Sequence, residues 1–491
     1  MNAATRRKAW VETYGCQMNV SDGELMEGIL AAQGYDLAAS AAEADVVLVN
    51  TCAIREHAEQ RVLGRVGELY RLKTDNPDLI IGVTGCMAQR MGTRLLERAP
   101  YVDLVMGPDG YRALPEALEQ LRPTDVGIAG SGLGAGQRPE NASRRALPVL
   151  SATRVDVAAD APRSVAAGAG NVALSDGRLA VLEFNGEENY EGLAVRRSPG
   201  VSAWVSIQRG CDHRCTYCIV PYVRGPEKNR DPQSVLAEVR QIAEQGITEV
   251  TLLGQTVNSW VNGRWDFPRL LRAVARVDGI RRVRFTSPHP RDVSPELVEV
   301  MATEPHVCHQ LHLPAQSGSD RTLKRMLRRY TVAELHEKIA MVRSAIPDIA
   351  LSTDIIVAFP GETDEEYEAT LELMRAARFD DAYLYKYSAR EGTPATRLPA
   401  EQFVAAQVAQ ERLERIIALH REIQAEINRK EVGRELEVLV ERAARSAGDM
   451  LGRTEHNKVV AFPADASLLG QYVRVQLTAT TGATFRGVRI T

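Results

Sequence analysis

Three apolar runs near the start of the chain each end in a short turn carrying a cysteine: AWVETYGC, DVVLVNTC and IIGVTGC. The cysteines, Cys16, Cys52 and Cys86, are 36 and 34 residues apart, about one strand-helix-strand unit each. Behind the runs come SDGELMEGILAAQ, AEQRVLGRVGELYRL and AQRMGTRLLERA, whose apolar residues recur at three- and four-residue steps, as in amphipathic helices. Right-handed crossovers between such units make the strands parallel. The repeat therefore predicts a parallel βαβ domain over 6–122, with all three cysteines at one edge of its sheet.

Beyond it, 123–199 shifts towards Ala, Gly, Ser and Pro and reads as a linker or loosely ordered insert, with a small β element around LAVLEF. From 200 to 428 strand-like runs alternate with helical ones: AWVSIQ, EVTLLGQ, RVRFTS, HQLHLPAQ, IALSTDIIVAF and DAYLYKYS. Six such units without hairpin signals predict a parallel sheet curled into a full or partial (βα)6 barrel, whose chemistry belongs at the C-terminal strand ends. A long helical stretch follows, and 429–491 switches to strand periodicity, giving a small all-β barrel. The expected fold class is α/β multidomain.

Composition bears on what such a chain can do. With 60 Lys and Arg against 64 Asp and Glu, the net charge is −4, so any contact with nucleic acid must be local. Seven cysteines in 491 residues are too few for a disulfide scaffold and suit reduced thiols acting as ligands. MNAATRRKAWVETYGC has basic residues but no apolar signal core, and no run reaches the length of a membrane span. A cytoplasmic protein is expected, without membrane attachment.

The stretch QRGCDHRCTYCIVP places Cys211, Cys215 and Cys218 in a CxxxCxxC pattern. A buried apolar stripe is a poor account of it, because Gly210, Asp212, His213 and Arg214 do not suit a helix interior. Zinc held by three thiolates and His213 or another residue is one alternative. An iron-sulfur cubane on three cysteines is the other, and it leaves one iron open to a substrate. The N-terminal trio raises the same choice. A single cysteine there would be an ordinary buried thiol, but three in register, each at a helix entry that favours thiolate, point to a second metal centre. Cys308 belongs to neither set and is assigned to the barrel core.

The CxxxCxxC motif resembles that of the radical S-adenosylmethionine superfamily, and the whole chain is similar to the methylthiotransferase family within it. TYGCQMNVSDGELM, NTCAIREHAEQRV and GCMAQR resemble the branch acting on tRNA that carries N(6)-dimethylallyladenosine, and QMN is the main discriminator. The C-terminal β domain is of the TRAM type. The resemblance implies two 4Fe-4S clusters, one on Cys211, Cys215 and Cys218 with S-adenosyl-L-methionine on its open iron, the other on Cys16, Cys52 and Cys86 holding the transferred sulfur. It implies methylthiolation at carbon 2 of the adenine immediately 3′ of the anticodon, a C–H bond that acid-base catalysis cannot activate.

Further matches carry further expectations. In YVRGPEKNR, Gly225 and Glu227 fall where the methionyl amino group is held, although Pro226 departs from the family pattern. LLGQTVNSW offers Thr256 and Asn258, each of which could equally be a turn former. HLPAQSGSDRTLKRMLRRYT offers Gln316 and Ser317, followed by a basic helix from Arg321 to Arg329 that is either a solvated face or a phosphate contact. STDIIVAFPGET supplies Asp354, and Tyr217 stacks near the adenine or shields the cluster. In the TRAM-like domain Arg453, His456, Asn457 and Lys458 are expected to meet RNA. The expected partners are the tRNA anticodon loop, a one-electron donor such as flavodoxin or ferredoxin, and a sulfur source, with the protein a monomer. Competing readings are a substrate with threonylcarbamoyladenosine, a ribosomal-protein aspartate, and a metal-containing RNA-binding protein without catalysis.

Overall fold

The computed structural model describes residues 6–53, 56–122, 171–173 and 177–490. Most of the expected insert therefore lies outside the described residues. The chain forms two compact units, the first made of residues up to Arg196 together with Tyr222–Arg224, the second of Arg197–Pro221 and Gly225 onward.

The first unit is built on a seven-stranded sheet. Its parallel part runs, in spatial order, Asp36–Leu37, Lys8–Tyr14, Val46–Thr51, Ile80–Gly85, Leu104–Met106 and Leu179–Val181, and Asn171–Ala173 adds an antiparallel edge. Leu179–Val181 comes from the LAVLEF run and pairs with Leu104–Met106. Strands Val46–Thr51 and Ile80–Gly85 are buried along their whole length, as a sheet covered on both faces requires. One face packs under Val62, Val66, Leu69, Leu95 and Leu96, the other under Leu25, Ile29, Leu114 and Leu118. The order reverses between Lys8–Tyr14 and Val46–Thr51, a switch point where the crevice at the carboxyl ends of the strands lies open.

The third helical run departs from expectation. AQRMGTRLLERA is broken into Cys86–Met91 and Thr93–Arg98 at Gly92, whose φ of +57° ends one helix and lets the next start in a new direction.

In the second unit two three-stranded parallel sheets, Ser202–Ser206, Glu249–Leu253 and Arg282–Phe285, then Gln310–His312, Ala350–Val357 and Asp381–Lys386, follow one another in chain order. Val283 N–H donates to the His306 carbonyl at 2.7 Å and Cys308 N–H to the Val283 carbonyl at 3.0 Å, joining them into a six-stranded partial barrel. Helices cover its outside over a continuous apolar core that includes Val205, Leu252, Phe267, Leu311 and Ile355. Cys308 is buried near this layer, and burial pushes its thiol up to about 11.

Helix Ala406–Glu431 leads to a closed five-stranded barrel around Val438, Val440, Val460, Phe462 and Phe485. Arg282 and Arg284 fasten this barrel to the core by donating to the carbonyls of Glu437, Arg453, Thr454 and Glu455 at 2.7–2.9 Å. No helix among the described residues is long and apolar enough to cross a membrane.

Candidate metal centres

The register of the first sheet decides where its cysteines go. Tyr14 pairs with Thr51, and Thr51 with Gly85, so the next residues, Gly15 with Cys16, Cys52 and Cys86, leave the same sheet edge side by side. Cys16 and Cys52 flank the switch point. Cys16 caps helix Gln17–Ala32 and Cys86 opens helix Cys86–Met91, whereas the helix after Cys52 starts only at Glu56. The approach is close: a Cβ on Gly15, whose φ is +150°, would lie 2.6 Å from Cys52 Cβ. Asn19 Nδ2 donates to Asn50 Oδ1 and to the Thr51 carbonyl, and Asn50 Nδ2 returns a bond to the Asn19 carbonyl at 2.7 Å.

The thiols sense one another. A bond from Cys52, the Arg224 charge and the N–H groups of Asn19 and Met18 bring the Cys16 thiol down to about 6 against the opposing effect of burial. Burial pushes the Cys86 thiol up, with Arg224 opposing it. Arg224 is itself buried, with Nε 3.1 Å from Cys86 Sγ and Nη2 2.5 Å from Asp22 Oδ2. Its Nη1 is buried with no partner among the described residues. Three thiols and an orphaned guanidinium nitrogen fit a sulfur-rich anionic group.

In the second unit Cys211, Cys215 and Cys218 lie in the loop after Gln208–Arg209, at the carboxyl end of the first barrel strand. The loop doubles back tightly at Gly210, where φ is +73° and a Cβ would fall 1.9 Å from the Pro226 carbonyl oxygen. Cys211 N–H donates to the Gly225 carbonyl at 3.2 Å, and Thr216 bonds the Arg325 and Met326 carbonyls through its hydroxyl and N–H. The thiols face polar neighbours: Thr256 Oγ1 lies 3.2 Å from Cys211 Sγ, and Arg328 Nη1 lies 3.4 Å from Cys215 Sγ. Burial pushes the Cys218 thiol up to about 12, with the other two thiols adding to the effect. A cationic metal group displaces the proton of such a thiol. His213, the residue that could complete a zinc tetrahedron, turns Nε2 to Asp292 at 3.5 Å and stacks on His289 at 4.1 Å. Among the described residues the loop thus brings together three thiols while His213 is engaged elsewhere, which fits an open-iron cubane better than structural zinc.

The other expected residues are distributed around this loop. Thr256 is buried and its N–H donates to Gln208 Oε1 at 2.9 Å. Glu227 accepts from Ser259 Oγ at 2.6 Å and from Asn229 Nδ2 at 2.9 Å, and Ser259 in turn accepts from Gln208 Nε2. Asn258 exchanges bonds with the His289 backbone at 2.7 and 3.0 Å. Gln316 has φ +65° and a buried Oε1 with no partner among the described residues, and Ser317 is fully buried against Thr370. Asp354 stands 3.4 Å from His312, and Tyr217 packs by Met326 and Phe359.

The TRAM-type loop is tied inward. His456 is buried 3.3 Å from Asp348, Lys458 pairs with Asp380 at 2.9 Å, and Arg453 bonds Glu441 and Asn457. The expected basic helix ends at Arg325, not Arg329. Arg325 donates to the Gly361 carbonyl, and Arg328 is buried against Cys215 and the Pro314 carbonyl, because both serve loops around the cluster site.

Asp22, Asn50, Arg224, His289 and Tyr383 were not among the residues expected from the sequence. His289 is held neutral, its imidazole brought down to about 2 mainly by burial and then by Arg328, and its Nε2 has no partner among the described residues. Tyr383 is 47% exposed beside Asp354 and His312 on the face opposite the helical core. Strand alternation could have found Tyr383. Only tertiary structure brings Arg224 to Cys86.

Comparison with known proteins agrees with this layout. An uncharacterised protein family designated UPF0004 matches residues 8–107, the radical SAM superfamily 205–374, and the TRAM domain 429–488. A tRNA-2-methylthio-N(6)-dimethylallyladenosine synthase of Cereibacter sphaeroides is 40% identical over 485 residues, 99% of each chain. The protein of that name from Chloroherpeton thalassium is 40% identical, covering 98% of this chain and 96% of its own. Among solved structures, the radical S-adenosylmethionine methyltransferase TsrM of Kitasatospora setae aligns with TM-score 0.55 at 13% identity, over 81% of this chain and 75% of its own. At that identity the likeness concerns the fold alone.

Proposed function

The chain belongs to the radical S-adenosylmethionine family of tRNA-2-methylthio-N(6)-dimethylallyladenosine synthases, and from this membership we propose that it replaces the hydrogen on carbon 2 of N(6)-dimethylallyladenosine in tRNA by a methylthio group. The observation that carries the proposal is the pair of three-thiol sites, each at the carboxyl end of parallel strands. When bound, a cubane on Cys211, Cys215 and Cys218 with S-adenosylmethionine supplies a carbon radical able to attack an aromatic C–H bond.

The protein's own residues do the holding. Thr256 and Arg328 steady two of the three thiolates, and Gly210 lets the loop turn under them. Glu227, tied by Ser259 and Asn229, presents a fixed carboxylate for an ammonium group. Gln316, with its free carbonyl, together with Ser317, Asp354 and Tyr217, contributes the remaining cofactor contacts. Cys16, Cys52 and Cys86 hold the second 4Fe-4S cluster and the sulfur to be transferred.

We allot 6–122 to the second cluster, 123–199 to a linker or insert, 200–428 to the radical core and 429–491 to RNA binding. The partners are the tRNA anticodon loop, a flavodoxin- or ferredoxin-like electron donor and a sulfur source, and Arg453, His456, Asn457 and Lys458, tied inward, shape the RNA-binding loop rather than reach out of it. The protein acts as a cytoplasmic monomer. Nucleoside mass spectrometry of tRNA from a deletion strain tests the substrate: the methylthio nucleoside disappears and its N(6)-dimethylallyladenosine precursor accumulates. Unchanged tRNA, with an altered ribosomal protein, overturns it.

A further inference from the structure

Arg224 stands apart from the ligand sets and touches one of them. It follows the second cysteine trio in the sequence, yet its side chain is 3% exposed within the first unit. The three guanidinium nitrogens have different fates: Nη2 is fixed by Asp22, Nε donates to Cys86 Sγ, and Nη1 faces no protein acceptor among the described residues. Asp22 lies on the helix that Cys16 caps, so the carboxylate that orients Arg224 is carried by the element that positions another ligand.

A buried N–H beside a thiolate, with a second N–H left over, calls for a second anionic acceptor at the same place. Hydrogen bonds and positive charge at cluster sulfur withdraw electron density and favour the reduced, more negative state. Arginine suits this better than lysine, because its planar fork serves Asp22, a cysteine sulfur and a third acceptor at once.

We propose that Arg224 is a positioning residue of the second metal centre, which holds an anionic sulfur through Nη1 while Nε bonds Cys86, and thereby raises the centre's reduction potential. The proposal rests on the two-cluster reading above. The acceptor is either a sulfide of the cluster or an added sulfur on its open iron. In the first case Arg224 sets the potential alone, and in the second it also sets affinity for added sulfide.

The test uses the full chain with Cys211, Cys215 and Cys218 changed to alanine, reconstituted anaerobically so that only the second centre carries iron. Iron content, the midpoint potential from an EPR-monitored titration, and the sodium sulfide concentration that half-converts the EPR signal are compared with Arg224→Gln and Arg224→Lys. Arg224→Gln is expected to keep its iron and shift the midpoint to more negative values. Arg224→Lys recovers part of that shift, since it keeps the charge. An unchanged sulfide response then assigns Nη1 to a cluster sulfide, and a response weakened about tenfold assigns it to added sulfur. An unchanged potential in Arg224→Gln at full iron content overturns the proposal. Where Arg224→Gln loses iron, Asp22→Asn frees the guanidinium without removing it, and an unchanged potential there overturns the proposal too. Should the protein with native Arg224 bind no iron, the two-cluster reading fails instead.

Discussion

Asn19 and Asn50 are fully buried and bonded to each other across the switch point of the first sheet, Asn19 Nδ2 to Asn50 Oδ1 at 3.3 Å and Asn50 Nδ2 to the Asn19 carbonyl at 2.7 Å. Asn19 sits in the first turn of the helix that Cys16 caps, and Asn50 near the end of the strand that leads to Cys52. Their pairing holds two ligand loops at a fixed separation.

Asn50→Leu should remove the Asn50 Nδ2 bond to the Asn19 carbonyl and one of the two acceptors of Asn19 Nδ2, at a cost of about 1–3 kcal/mol. Because the lost bonds lie between ligand loops, anaerobically reconstituted protein is expected to keep about half the iron of the parent. S-adenosylmethionine cleavage to 5′-deoxyadenosine should persist. Full iron content in the variant would show that the pair serves stability alone.

Arg328 plays a comparable part at the other site, with Nη1 on Cys215 Sγ, Nη2 on the Pro314 carbonyl and Nε towards Tyr330 Oη. Arg328→Met removes all three bonds and leaves the Pro314 carbonyl with Tyr330 Oη, at 3.1 Å, as its remaining donor. A neighbour that orients a metal ligand in this way is usually worth about 10–100-fold in metal affinity or activity. Cleavage of S-adenosylmethionine should fall within that range while the EPR signal of the second centre is retained. Equal loss of both signals would point to general unfolding.

The parallel sheets, the small barrel and the register of Cys16, Cys52 and Cys86 were legible because periodicity and spacing are local properties. What holds the cysteines was less so. Asp22 and Arg224 meet across a long stretch of chain, and no local pattern marks an arginine destined for a thiol. Arg325 and Arg328 looked like surface charge because polarity alone cannot tell a solvated face from a loop whose carbonyls need donors. The run AQRMGTRLLERA has helical periodicity throughout, and only the backbone shows the break at Gly92.

Glu362 gives the protein a pH-dependent stability. Its side chain is fully buried in the loop after strand Ala350–Val357, and burial raises its carboxyl from the ordinary 4.5 to about 7 against the Ala358 N–H and the Arg412 guanidinium. The folded state thus binds a proton that the unfolded state releases at lower pH. Its contribution is fully present below the unfolded value and is lost as pH rises through the folded one. Between pH 6 and pH 8 the loss should be about 1 kcal/mol. Chemical denaturation midpoints should fall over that interval in the parent and less steeply in Glu362→Gln. Equal slopes would exclude Glu362 as the source.

Arg284 and Glu249 are both buried, with Arg284 Nε 3.3 Å from Glu249 Oε1, while Arg284 also donates to the Thr454 and Glu455 carbonyls at 2.7 Å. The pair anchors the C-terminal barrel to the core through its backbone, which side-chain substitutions in that loop would leave intact. Arg284→Met leaves Glu249 as a buried charge facing one remaining partner, Arg282, at 4.0 Å, and should cost about 3–5 kcal/mol. Glu249→Gln combined with Arg284→Met removes the stranded charge and should be milder than Arg284→Met alone. Limited proteolysis provides the readout, with the C-terminal barrel released fastest from Arg284→Met and more slowly from the double variant. Equal release rates would mean that the lost carbonyl bonds, and not the stranded buried carboxylate of Glu249, account for the weakening.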